Sequence, residues 1–147
     1  MTGFVARDPD FAARVAASFQ RQTLMATLGA TLERVEPGEV EIALASSPGI
    51  LQQHGFIHGG AITAIADSAA GYASLSLMPA GTGVLTVEFK INLLAPGRGR
   101  LRAVGRVVRH GRTLTVAQTE VLGDDGKPVA LLTATMMSIE GRTDVVD

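Results

Sequence analysis

The stretch that decides the fold of this 147-residue chain is Gln52-Gln53-His54-Gly55-Phe56-Ile57-His58-Gly59-Gly60. The run that follows it, residues 61–78, consists almost wholly of Ala, Ile, Leu, Ser and Gly. This composition predicts a helix that is buried on most of its circumference. Asp67 is the only charged residue in the run.

A carboxylate on a buried helix loses hydration, which costs roughly 2 kcal/mol or more unless other groups compensate. Proteins accept that cost mainly where the group works in catalysis. The alternative is that Asp67 caps a second helix that begins at Ser68, but no turn signal accompanies it. The pair Gly59-Gly60 favours the functional interpretation, because free N–H groups at a helix start suit an anion or a developing oxyanion.

The rest of the chain predicts one N-terminal helix and six strands. The helix spans residues 9–29, with Asp8 as N-cap, Pro9 in the first turn and Gly29 as the stop. The strands span residues 31–36, 39–45, 86–94, 100–109, 113–122 and 129–139, and residues 46–57 form a loop. Apolar and polar residues alternate through 86–94, which predicts a half-buried strand. The tail from Gly141 is short and polar.

Short strands joined by tight turns imply an antiparallel sheet, and the long apolar helix must be covered by it. A strongly twisted sheet wrapped around a central helix satisfies both requirements. The many small residues of that helix, such as Ala69 and Ala70, would let the two backbones approach closely.

Several of these residues resemble a motif of the hotdog-fold acyl-CoA thioesterases, most closely their phenylacetate-pathway (PaaI-like) branch. The matching positions are an amide at Gln52, then Gly55, then His58-Gly59-Gly60, an acid nine residues after the histidine at Asp67, and a strand that ends in Pro96. The resemblance covers residues 32–139, and it departs at Gln52, where much of this branch has Asn and related thioesterases have Gln. It implies an α+β hotdog fold, one domain over residues 1–147 with an N-terminal helical extension over 1–30, and hydrolysis of acyl-CoA to the acid and free CoA.

The resemblance also implies roles for individual residues. Asp67 would act as general base or as direct nucleophile, and the sequence leaves both open. The Gly59 N–H would stabilise the oxyanion, with Gln52 orienting substrate or water. Thr86 lies where the family often has Ser or Thr, and Gly55 and Gly60 belong to the substrate-binding loop. His58 takes a catalytic part or simply bonds a main-chain group.

The spacing of Gly59 and Asp67 predicts a site built from two chains. Eight positions on one helix separate two residues by about 12 Å along the axis, so one reacting carbonyl cannot reach both. Two antiparallel helices related by a two-fold axis would place Gly59 of one chain opposite Asp67 of the other. We therefore expect a homodimer, paired again into a tetramer through the outer face of the sheet.

Six arginines occur between residues 98 and 112, a basic surface that suits the phosphates of CoA. Arg109, His110 and Arg112 flank the Gly111 turn, where the family commonly contacts the nucleotide end, and we expect them to bind substrate. Arg98, Arg100 and Arg102 are interpreted instead as a solvated strand face.

Composition excludes several other classes of protein. The chain has no cysteine, which excludes thiolate chemistry. It has no tryptophan, one tyrosine and a net charge of −1, so it is not expected to bind nucleic acid by stacking on the bases. The first ten residues lack a signal-peptide core and no apolar run reaches membrane length, so a cytoplasmic location without membrane contact is expected. His54 and His58 lack a third ligand, so no metal is expected. No cofactor is expected either, since CoA is part of the substrate.

Two other functions remain on the same scaffold. An enoyl-CoA hydratase-type lyase typically pairs an Asp with a His five residues on, whereas here that position is Tyr72. A non-catalytic acyl-CoA-binding protein would gain nothing from a lone buried carboxylate at Asp67.

Overall fold

A computed structural model describes residues 3–147, so the first two positions of the predicted N-terminal extension lie outside the described residues. Six antiparallel strands form one sheet in the order β1-β2-β4-β5-β6-β3. The strands are β1 Thr31–Glu36, β2 Glu39–Ala45, β3 Gly83–Leu93, β4 Arg100–His110, β5 Leu114–Leu122 and β6 Pro128–Ile139. The helices are α1 Phe11–Arg21, α2 Thr23–Leu28 and α3 Gly59–Leu75. All six predicted strands are confirmed.

The central helix α3 packs against the sheet as predicted, and ten of its seventeen residues are buried. A Cβ placed on Gly105 of β4 would lie 2.4 Å from the Ala69 carbonyl group, so the two backbones touch there. The Thr119 hydroxyl on β5 donates a 2.8 Å hydrogen bond to the Ala66 carbonyl. Because α3 runs unbroken through Asp67, the alternative of a second helix capped by Asp67 is wrong.

The predicted N-terminal helix is interrupted at Gln22, whose backbone is extended at φ −75° and ψ 99°. Its side-chain amide donates a 2.8 Å hydrogen bond to the hydroxyl of Tyr72 on α3, which lies fifty positions further along the chain. The predicted start was also wrong. Asp10 occupies the N-cap position, while Asp8 accepts a hydrogen bond from the Asp10 N–H at 2.9 Å. Gly29 ends α2 with a left-handed φ of 74°, as predicted.

Strand β3 lies at one edge of the sheet and is exposed on both faces in the single chain. The prediction of a half-buried strand was therefore wrong for the isolated chain. Four of its large apolar side chains are 42–56% exposed, namely Leu85, Val87, Phe89 and Leu93. The reason is topological, because β3 pairs only with β6 and its other edge has no neighbour within residues 3–147.

No helix within the described part of the chain is both long and apolar enough to span a membrane.

Candidate active site

The start of α3 is built by His58, Gly59 and Gly60. His58 is the N-cap residue, and its Nδ1 accepts a 2.7 Å hydrogen bond from the Gly60 N–H. A neutral imidazole in this arrangement carries its proton on Nε2. The Gly59 N–H has no acceptor within residues 3–147. Of the two glycine N–H groups expected to be free, that of Gly60 is bonded and that of Gly59 has no acceptor among the described residues.

Gln52 lies in a tight turn that precedes α3. Its Oε1 accepts hydrogen bonds from the N–H groups of His54 at 2.5 Å and Phe56 at 3.3 Å. Gly55 occupies the turn with a left-handed φ of 84°, a conformation that favours glycine. Since the oxygen is engaged, the side chain keeps its NH2 group as a donor, with no acceptor among the described residues.

Gln52 and Gly59 line a first hollow of about 400 Å³, here named the Gly59 hollow. Its other walls are apolar and come from the end of β3 and the following loop, including Leu93, Leu94 and Pro96, together with Phe56 and Ile62. Leu93 lies so close that a Cβ on Gly59 would sit 2.8 Å from its Cδ1. Two residues with free N–H donors, Gln52 and Gly59, therefore line an otherwise apolar space.

Asp67 is half-buried on α3, and the Thr86 hydroxyl donates a 2.9 Å hydrogen bond to its Oδ1. Burial raises the pKa of Asp67 above its ordinary value, while the hydrogen bond from Thr86 opposes part of that rise. No lysine or arginine within residues 3–147 forms an ion pair with this carboxylate. Such a carboxylate is a stronger base than one that is fully hydrated.

Asp67 and Thr86 line a second hollow of about 420 Å³, here named the Asp67 hollow. Hydroxyl and amide groups form one side of it. The Tyr72 hydroxyl lies 3.1 Å from Ser18 Oγ, and Ser68 Oγ donates to Gln22 Oε1 at 3.3 Å. Both hollows fall at the small end of ligand pockets, which span roughly 300–1,000 Å³.

The C-terminal segment 144–147 forms another wall of the Asp67 hollow. The Asp147 carboxylate accepts hydrogen bonds from Ser18 Oγ at 2.6 Å and from the Val84 N–H at 3.0 Å. The part that residues 144–147 take in forming the Asp67 hollow was not predicted from the sequence. The only signal in the sequence was a short polar tail, which has no motif of its own.

The two hollows have no lining residue in common. Gly59 and Asp67 lie on one continuous helix, eight positions and about 12 Å apart along its axis. Within a single chain, the structure thus brings Gln52 to Gly59 and Thr86 to Asp67, and it keeps these two pairs apart.

The predicted nucleotide-binding residues at the β4–β5 turn line neither hollow. Neighbouring strands place Thr115 beside His110, Met136 beside Thr115 and Thr86 beside Met136. Three strand spacings of roughly 4.7–4.9 Å therefore put His110 about 14 Å from Thr86. Thr115 Oγ1 lies 2.9 Å from His110 Nδ1, and burial, with a smaller effect of the nearby Arg7, lowers the pKa of this histidine. Arg109 and Arg112 are exposed. Their binding of the nucleotide remains a prediction.

The other arginines of this segment differ in their partners. Arg100 pairs with Glu33 at 3.2 Å and Arg102 with Glu41 at 3.1 Å, in keeping with a charged strand face. Arg98 instead lies over the Phe56 ring, with its guanidinium carbon 4.4 Å from the ring centroid. Among residues 3–147, no three His, Asp or Glu side chains come together as a metal site would require.

Comparison with known proteins supplies the family. The profile of the thioesterase superfamily matches residues 54–130, which is more than half of the chain. The chain belongs to the thioesterase superfamily. It is a thioester hydrolase, as the motif around Asp67 predicted, and its hotdog fold is of the PaaI-like kind.

Individual thioesterases are similar over most of their length. The crystal structure of a thioesterase family protein from Silicibacter pomeroyi is 44% identical, with a TM-score of 0.86 over 89% of this chain and 99% of that one. The medium/long-chain acyl-CoA thioesterase YigI of Salmonella typhimurium is 29% identical over 126 residues, covering 75% of this chain and 81% of its own. The PaaI protein of Escherichia coli shares the fold at 23% identity, with a TM-score of 0.84 over 94% and 97% of the two chains.

Proposed function

We propose that this protein hydrolyses an acyl- or aryl-CoA thioester to the free carboxylic acid and CoA. The observation that carries the proposal is the half-buried Asp67 carboxylate, which is held by Thr86 and has no ion-pair partner within residues 3–147. Its raised pKa suits a group that must take a proton or attack a carbonyl near neutral pH. The similarity to an acyl-CoA thioesterase of Salmonella supports a CoA thioester as the substrate.

The reaction needs a base or nucleophile and a donor for the oxyanion. As base, Asp67 takes a proton from water while the water oxygen bonds to the thioester carbon, and the carbonyl oxygen becomes an oxyanion that accepts from the Gly59 N–H. Collapse of the intermediate breaks the C–S bond, and the leaving CoA thiolate takes up the proton that Asp67 removed from water. As nucleophile, Asp67 itself bonds to the carbon and expels the thiolate, and water then hydrolyses the resulting anhydride. The free NH2 of Gln52 orients the carbonyl or the water in either case.

The two halves of this machinery require two chains. Gly59 and Asp67 line separate hollows, and a two-fold axis between antiparallel α3 helices would join the Gly59 hollow of one chain to the Asp67 hollow of its partner. The exposed apolar strand β3 is the surface that supports this pairing, because an open edge strand with large apolar side chains is normally covered. The proposed enzyme is therefore a homodimer with two sites.

Release of free thiol from a panel of CoA thioesters tests the proposal directly. The panel should include a benzoyl, a phenylacetyl and a medium-chain acyl-CoA, together with an enoyl-CoA. We expect thiol and carboxylic acid to form in equal amounts from at least one saturated or aryl ester. Consumption of the enoyl double bond without thiol would instead identify a hydratase. Stoichiometric binding without turnover of any ester would identify a binding protein.

A further inference from the structure

We infer that Arg98 binds a phosphate group of CoA at the rim of the Gly59 hollow. This inference rests on the proposed function and adds to it a residue that fixes the nucleotide end of the substrate. It differs from the expectation drawn from the sequence, which assigned that task to the β4–β5 turn and treated Arg98 as part of a solvated face.

Arg98 lies next to residues that line the Gly59 hollow. Phe56, Pro96 and Gly97 all line the Gly59 hollow. Arg98 is the next residue in the chain and is exposed, and its guanidinium carbon lies 4.4 Å from the centroid of the Phe56 ring. A cation that stacks on a wall of the hollow and is itself exposed lies at the rim of that hollow.

Arg98 also differs from its neighbours in having no ion-pair partner within residues 3–147. Along the same segment, Arg100, Arg102 and Arg106 each form an ion pair with a glutamate. Within residues 3–147, Arg98 has no acidic partner and no hydrogen bond. Contact with an aromatic face restrains the guanidinium without using its N–H donors, which stay free to bind a phosphate bidentately.

The groups around the Gly59 hollow also match the parts of an acyl-CoA. The NH2 of Gln52 and the N–H of Gly59 are free donors for a thioester carbonyl. The remaining walls are apolar, and Arg98 adds one positive charge at the rim. An acyl-CoA has the complementary groups, namely a carbonyl, an uncharged pantetheine arm and phosphates.

Arg109 and Arg112 cannot share this task within one chain. Arg109 lies at the other end of β4 and Arg112 just beyond it, and the ten steps from Arg100 to His110 span about 34 Å at roughly 3.4 Å per residue. In the proposed dimer they belong to the Asp67 side of a site. Arg98 and the β4–β5 turn are therefore separable by mutation.

The test compares two substrates with the same acyl group, one carried on CoA and one on pantetheine, which lacks phosphates. For Arg98→Met we expect KM for the CoA ester to rise about tenfold at unchanged kcat, the effect of losing about 1.4 kcal/mol of charge-assisted hydrogen bonding. KM for the pantetheine ester should stay the same. Arg98→Lys keeps the charge but loses the planar fork, so its KM for the CoA ester should lie between the two.

Arg100→Met is the matched control, because it removes one positive charge two residues away from a side chain already committed to Glu33. It should leave the ratio of the two KM values unchanged. An equal effect of Arg98→Met on both esters, or none on either, would overturn the inference. So would a selective loss in Arg109→Met or Arg112→Met that Arg98→Met does not show.

Calorimetric titration keeps this inference separate from the proposed function. Free CoA and free pantetheine are titrated into the unmodified protein and into Arg98→Met, with circular dichroism to establish that the variant is folded. We expect Arg98→Met to weaken CoA binding about tenfold and to leave pantetheine binding unchanged. If the unmodified protein hydrolyses no thioester, the proposed function fails, while the titrations still decide whether Arg98 binds the phosphates.

Discussion

The Thr86 hydroxyl donates a 2.9 Å hydrogen bond to Asp67 Oδ1, so the exposed edge strand β3 holds the carboxylate on the central helix α3. The carboxylate is subject to two opposite influences, since burial raises its pKa and the hydrogen bond lowers it. A partner chain that covers β3 would remove more water from Asp67. Strand β3 thus links the base strength of Asp67 to the assembly of the proposed dimer.

The first prediction concerns Thr86→Val, which removes the hydroxyl at nearly constant volume. Without the hydrogen bond, the ionised form of Asp67 loses stabilisation and its pKa rises further. Because the reaction needs the ionised form, the acidic limb of the kcat profile should move to higher pH. Thr86→Ser keeps a hydroxyl and should leave the limb in place. An unshifted limb in Thr86→Val would mean that another group controls the acidic side of the profile.

The second prediction is that Asp67→Asn abolishes turnover and stabilises the protein at neutral pH. Turnover should fall at least ~100-fold with substrate binding nearly intact, since only the base or nucleophile is lost. The raised pKa of Asp67 means that the folded state loses stability as pH rises from the unfolded pKa through the folded pKa. Asn has no such loss, so the variant should have the higher Tm at pH 7, and the two Tm values should converge in acid. Near-normal hydrolysis by this variant would remove Asp67 from the mechanism.

The third prediction separates a capping role of His58 from a catalytic one. Nδ1 of His58 accepts from the Gly60 N–H, and Asn offers an equivalent acceptor at an N-cap. His58→Asn should therefore keep both stability and activity. His58→Ala should lose about 1 kcal/mol of stability, measured as a lower denaturation midpoint. A folded His58→Asn variant with a 100-fold loss of turnover would show that the imidazole takes part in the chemistry.

Local sequence patterns predicted those parts of the fold that local patterns determine. Alternating apolar residues and Gly or Pro turns define the six strands, and the small apolar run defines α3. The break at Gln22 could not be predicted, because the hydrogen bond that accompanies it joins Gln22 to Tyr72, fifty positions away. The exposure of β3 could not be predicted either, since alternation reports two faces and sheet order decides which strand lies at an edge.

The candidate site shows the same division. The spacing of His58, Gly59 and Asp67 marked the helix and its carboxylate. The contacts that surround the carboxylate come from distant segments. Thr86 on β3 donates a hydrogen bond to Asp67, and the hydrogen bond between Asp147 and Ser18 holds the C-terminal tail in place. No short pattern encodes these contacts, since they arise only when the sheet closes around α3.

The fourth prediction is that a charge on β3 dissociates the assembly. Phe89 is 42% exposed on the edge strand, and Phe89→Arg would place an ion inside the proposed interface. We expect sedimentation to show monomers, with loss of hydrolysis in parallel. Val5→Arg is the control, because Val5 is 84% exposed and follows Phe4, which lies against Gly38 in the β1–β2 turn, and β1 forms the opposite edge of the sheet from β3. An active monomer at assay concentration would contradict the two-chain site, and sedimentation of the unmodified protein distinguishes a dimer from a tetramer.

The fifth prediction is that two inactive variants restore each other. Asp67→Ala lacks the base or nucleophile, whereas Gln52→Ala lacks the orienting amide on the opposite wall of the proposed site. If each site takes Gln52 and Gly59 from one chain and Asp67 from its partner, a mixed dimer has one site with both lesions and one intact site. Random mixing gives about half mixed dimers, each with one good site of two, so activity should recover to roughly a quarter of the unmodified enzyme.

Complementation requires that each parent is nearly inactive. If Gln52→Ala retains substantial activity, a bulky side chain at Gly59 replaces it, because even a Cβ there would meet Leu93 Cδ1 at 2.8 Å. The two variants are unfolded together, refolded and assayed beside equal amounts of each parent refolded alone. The matched control mixes Asp67→Ala with Asp67→Asn, which are both expected to be inactive and have their lesions in the same hollow, so every site of a mixed dimer lacks the carboxylate and no site recovers. If the mixture of Asp67→Ala and Gln52→Ala shows only the average of its parents, both residues act within one chain, and the separation of the two hollows would have no bearing on catalysis.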